Sequence, residues 1–94
     1  MTLPRVDRIR QRLEPLEPIV LEVNDDSRHH AGHAGAADGR GHFSVRIVSK
    51  RFAGLGTLSR HRLVYEAVGD LMATDVHALS IHALAPGEAF TQRS

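Results

Sequence analysis

A small α+β domain, with helices on one face of a three-stranded sheet, is the fold class this sequence predicts. Three observations carry it. Ile19 to Asn24, His42 to Ser49 and Val76 to Leu84 are short apolar-rich runs with a two-residue period, as half-buried strands require. Residues 3–14 and Leu58 to about Met72 instead repeat their apolar residues at three and four, as amphipathic helices do. The whole chain is 94 residues, which fits one domain spanning 1–94 with its core over about 3–86.

In the first helix Leu3, Val6, Ile9 and Leu13 form the apolar stripe, Thr2 is placed to cap it, and Pro15 blocks its continuation. Arg5, Arg8 and Arg12 form a second stripe, which reads as a solvated face. Ile19, Leu21 and Val23 share one side of the first strand. Asp25 to Gly41 then holds four glycines, three aspartates and three histidines with no large apolar residue, so it is expected as a flexible loop. Phe43, Val45 and Ile47 alternate along the second strand, and Lys50 and Arg51 lead into a turn on Gly54 and Gly56.

The second helix buries Leu63, Val64, Ala67, Val68 and Leu71, with Thr57 or Ser59 as its cap. Ala73-Thr74-Asp75 is a turn into the third strand, where His77, Leu79, Ile81 and Ala83 are expected in one row. Pro86-Gly87-Glu88 opens a short terminal turn, and Thr91 to Ser94 are expected to fray.

Composition narrows the function. Hydrophobic residues make up 41% and charged residues 24%, and the net charge is +1 with histidine neutral. That is far from the basic excess of a general nucleic-acid binder. There is no cysteine, which excludes disulfides, a thiol nucleophile and a self-sufficient thiolate-bound iron–sulfur cluster. No apolar run reaches the roughly 18–20 residues of a membrane span. Met1-Thr2-Leu3-Pro4-Arg5 lacks a secretory core, so a cytoplasmic location is the expectation. Ser59 and Ser80 sit in no nucleophile elbow, and Gly54-Leu55-Gly56 lacks the Lys-Ser/Thr of a phosphate loop, so the chain is not read as an enzyme.

Seven histidines are the compositional oddity. His29, His30 and His33 cluster in the loop, but Gly32 and Gly35 break the helix that a fixed His-x-x-x-His chelate needs. A flexible arm offering one nitrogen to a metal held mostly by another molecule remains open. His77, at the start of a strand, is expected at the edge of the core, where it and a loop histidine could act as a pair. Arg60, His61 and Arg62 at a helix start, with Lys50 and Arg51 nearby, form the basic feature that could meet phosphates.

Phe52-x-Gly54, then five residues, then Arg60-His61-Arg62 resembles the signature of the BolA family. Asp26-Ser27-Arg28-His29-His30 followed by Gly35, Gly41-His42-Phe43, Leu63-Val64-Tyr65 and Val76-His77-Ala78-Leu79 agree in order, so the resemblance covers roughly Val6 to Pro86. It implies a KH-like fold of the class II type. It also implies a monothiol glutaredoxin as partner and a shared 2Fe–2S cluster, with cysteine and glutathione ligands from the partner side. The BolA side supplies histidine; the matching positions are His77 and His30, with His29 and His33 as alternates.

On this reading Arg60, His61 and Arg62 face the partner, and the role is cluster trafficking or iron homeostasis. The alternative is a DNA-binding transcriptional regulator of stress or morphology genes that uses Lys50, Arg51, Arg60, His61 and Arg62. A third reading is a metal-free homodimeric interaction module.

Overall fold

The computed structural model describes residues 4–26 and 41–88. Helix α1 (Arg5–Leu13) starts after Pro4, whose carbonyl accepts the Arg8 N–H at 3.0 Å. The proposed cap Thr2 lies outside the described residues. Ile9 and Leu13, one helical turn apart, are fully buried. Pro15 does not stop the chain at once: Glu14–Leu16 tightens into a 3-10 turn that also buries Leu16.

Strands β1 (Val20–Asp25) and β2 (Gly41–Val48) are antiparallel, and β3 (Val76–Leu84) lies parallel to β2, giving the order β1-β2-β3. The strands start and end within a residue of their expected limits. On one face of the sheet Val23, Phe43, Val45, Ile47, Leu79 and Ala83 meet Ile9, Leu13, Val64 and Val68 from the helices in a single core. The second face is open and organised in cross-strand rows. Val20, Val48 and Leu84 make an apolar row, followed by Glu22, Arg46 and His82, then by Asn24, Ser44 and Ser80. Arg46 and Glu22, directly opposite, pair at 3.1 Å.

The long second helix expected from Leu58 to Met72 is two helices, α2 (Thr57–Val68) and α3 (Leu71–Thr74). Gly69 makes the break. Its φ is +62°, and a Cβ placed there would lie 3.2 Å from a guanidinium nitrogen of Arg12. The apolar stripe continues through the break because Leu71 is buried from α3. Periodicity therefore concealed the interruption. The start of α2 follows Gly56, and no side chain caps it, contrary to the expected Thr57 or Ser59.

The arginine stripe of α1 is also not the solvated face it was expected to be. Arg12 donates to the Val68 carbonyl at 2.9 Å and pairs with Asp70 at 2.8 Å, satisfying the C-terminal end of α2. That guanidinium holds the Asp70 carboxyl below its ordinary range. Arg8 binds Asp75 at 2.6 Å, with Arg5 at 3.7 Å. Charge at helical spacing marks a face; whether that face meets water depends on what folds against it.

Candidate metal centre and partner face

The end of the sheet where β2 and β3 begin is irregular. Gly41 pairs with Val76, but the next residue of β2, His42, pairs with Ala78. His77 is therefore an extra residue, a β-bulge in a parallel pair, where bulges are rare. The expected row of His77, Leu79, Ile81 and Ala83 is corrected by this slip. Val76 takes the inward position and is fully buried, while His77 is exposed.

The reason is burial. Val76 and Leu79 are three residues apart, and a strict two-residue period would leave one of them in water. The bulge lets both enter the core, and that odd spacing was the signal in the sequence.

The displaced His77 ring meets His42, with ring centroids 5.0 Å apart and planes inclined at 46°. His42 is half-buried, on the open face because Phe43, Val45 and Ile47 claim the other. In the sequence it opens the expected second strand and carries no site assignment. Two features hold this end in place. The Gly41 N–H donates to the Asp75 carbonyl at 3.0 Å, and the Asp75 carboxylate is anchored by Arg8. From β1, the Asp26 N–H donates to the His42 carbonyl at 2.7 Å, and its carboxylate accepts from the Ser44 hydroxyl. The loop candidates His29, His30 and His33 lie outside the described residues.

Neutral imidazoles are good donors to iron, zinc and copper. Among the described residues no three histidine, aspartate or glutamate side chains converge as a ligand set, so further donors would have to come from elsewhere.

At the opposite end of the sheet the Phe52–Arg62 stretch is bound inward. Lys50–Phe52 is a 3-10 turn capped by Ser49, whose buried hydroxyl accepts from the Arg51 N–H and donates to the Leu16 carbonyl. Phe52 is fully buried. Gly54, at φ +78°, supplies the turn before α2. Arg60 donates to the carbonyls of Leu55 at 2.8 Å and Ala83 at 3.0 Å and grips Glu88 with both terminal nitrogens, at 2.6 and 2.9 Å. Glu88 in turn accepts from the Ala85 N–H at 2.9 Å. The Arg60 guanidinium and that N–H pull the Glu88 carboxyl down to about 2, and Glu88 raises Arg60.

Leu84 gives its carbonyl to Ser49 on the β2 side, so the odd-numbered carbonyls of β3 face the sheet's edge. Arg60 meets Ala83 there, and the Tyr65 hydroxyl lies 3.5 Å from that of Leu79, so α2 covers this edge.

Of the five basic-patch residues, Arg60 is thus committed internally and Arg51 pairs with Glu17 at 3.5 Å, while Lys50 and Arg62 are exposed. His61 and Arg62 border a shallow groove of about 390 Å³ with Leu58, Tyr65 and Glu66. Leu58 is 72% exposed and Tyr65 41%, an apolar content unusual for an outward helix face.

A three-stranded mixed sheet with helices on one face and a bulged histidine at the strand start defines a small α+β module. Residues 13–88 match the family model described as BolA-like protein, and the chain belongs to that family. It is 49% identical over 87 residues to SufE-like protein 1, chloroplastic/mitochondrial, of Arabidopsis thaliana, covering 86% of this chain and 24% of that one. Against Protein BOLA1, chloroplastic, of the same plant the identity is 45% over 89 residues, with coverage of 90% and 56%.

The chain thus spans about a quarter and about half of these two relatives. The DNA-binding transcriptional regulator BolA of Escherichia coli (strain K12) is 40% identical over 77 residues, covering 81% of this chain and 70% of that one. Among solved structures, BolA1 from Arabidopsis thaliana superposes with a TM-score of 0.80 at 42% identity, over 95% of this chain and 99% of that one. None of these relatives' names states a catalytic activity. No helix among the described residues is long and apolar enough to cross a membrane.

Proposed function

We propose that this chain is the cysteine-free partner of a monothiol glutaredoxin, sharing a 2Fe–2S cluster to which it contributes His77 and one loop histidine, His30 or its neighbours His29 and His33. The cluster would be cargo in trafficking or iron homeostasis, with thiolate and glutathione ligands on the partner side and a cytoplasmic setting. The observation that carries this reading is the bulge. It takes His77 out of the core row and exposes its imidazole at the end of the sheet where the histidine-bearing loop leaves β1 and rejoins β2. A chain without cysteine can join such a cluster only through imidazole or another non-thiolate donor. The groove of Leu58, His61, Arg62 and Tyr65 is the surface offered to the partner's protein part. Arg60 serves that face from beneath, by fixing the first turn of α2.

The test mixes the chain with apo monothiol glutaredoxin, glutathione, iron and sulfide and follows the visible circular dichroism. His77→Ala is expected to change the spectrum of the mixed complex; an unchanged spectrum removes His77 from the ligand set.

The DNA-binding reading is supported by the name of the Escherichia coli relative. The net charge of +1 and the internal commitment of Arg60 weigh against it. Lys50 and Arg62 would have to carry the phosphate contacts. A gel-shift series against salt separates the two: sequence-preferring binding that persists at physiological salt favours regulation.

A further inference from the structure

We infer that His42 and His77 together form a two-nitrogen site for a late first-row divalent cation, with Zn²⁺ as the natural match, on this chain alone. Their spacing is the first observation. Two imidazoles bound to one tetrahedral ion, each through a metal–nitrogen bond of about 2.0–2.1 Å, bring their ring centres to about 5 Å. The rings of His42 and His77 stand 5.0 Å apart already, inclined at 46°.

The bulge is the second. It breaks regular pairing at one residue only, and that residue is His77, now on the side of the sheet where His42 stands. The backbones carrying the two rings are held independently of any ligand, by the Gly41 bond to Asp75, the Arg8 bond to Asp75 and the Asp26 bond to His42. The pair is therefore positioned before metal arrives, which lowers the cost of ordering two side chains on binding.

With two protein ligands the ion keeps water in its remaining positions, so this is an open site, one that a further donor can enter. It rests on the cluster reading only in sharing His77, and it makes His42, rather than a loop histidine, the nearest second nitrogen.

The experiment is a calorimetric titration of the full chain with Zn²⁺, without glutaredoxin, run beside His42→Gln, His77→Ala and a triple loop variant, His29→Ala/His30→Ala/His33→Ala. Each single variant is expected to weaken binding about tenfold or more, and the triple variant to leave it unchanged. Folding of each is followed by far-ultraviolet circular dichroism. Should His42→Gln misfold, Co²⁺ added to the wild type is expected to broaden the imidazole resonances of His42 and His77 together. Absence of Zn²⁺ binding, binding lost in the triple variant but retained in His42→Gln, or broadening of only one of the two rings overturns the site. The cluster assay with glutaredoxin is scored separately. Loss of its His77 dependence would sink that reading while leaving Zn²⁺ binding to be judged on its own result.

Discussion

At the Leu84 end of the β2–β3 pair the side chains of Ser49 and Arg60 bind back onto the chain itself; at the Gly41 end a bulge sets the imidazole of His77 beside that of His42. Ser49 joins the Leu16 carbonyl, the Arg51 N–H and the Leu84 carbonyl, and Arg60 joins Leu55, Ala83 and Glu88. His77, by contrast, has left the ladder's regular pairing for an exposed position beside His42. Both ends belong to the same two strands. The family signature therefore serves two purposes in two places: Phe52 to Arg62 stabilises, and Val76 to Leu79 presents.

Substitutions should separate the two ends, stability responding at one and metal at the other. Phe52→Ala, which empties a fully buried site, is expected to cost about 3–5 kcal/mol in urea unfolding. Ser49→Ala strands the buried Leu16 carbonyl and should cost about 1–3 kcal/mol by the same measurement.

Glu88→Gln tests the clasp through pH. Binding to Arg60 lowers the Glu88 carboxyl from 4.5 to about 2, so its contribution is complete above pH 4.5 and is lost as pH falls through about 2. The stability gap between wild type and Glu88→Gln should accordingly be flat near neutrality and close across that acid window. The smallest effect on folding belongs to His77→Ala, an exposed position, at within about 0.5 kcal/mol. A loss comparable to that of Ser49→Ala would make His77 a structural residue and erase the contrast between the ends.

Much of the candidate site was legible as residue types and little of it as geometry. The Val-His-Ala-Leu match singled out His77, but the two-residue period put it in the core row. The need to bury both Val76 and Leu79 moved it out. His42 belonged to the Gly41-His42-Phe43 motif without being assigned a site role, and only the parallel pairing with β3 brings it beside His77. Arg60 was picked out for its charge, yet its partner Glu88 lies 28 residues away, beyond any local pattern.

Hydrophobic period, glycine turns and the absence of cysteine determined the α+β class, the order of the elements and the restriction of any metal chemistry to non-thiolate ligands. These follow from local physics: which residues can face water, which backbone angles need glycine, which side chains can be soft donors. Tertiary structure alone decided that Gly69 splits the second helix against Arg12, that the α1 arginines face Asp70 and Asp75 instead of solvent, and that a bulge sets His77 against His42. Each of these is a meeting between residues remote in sequence, fixed by how the elements pack, and no period within one element encodes it.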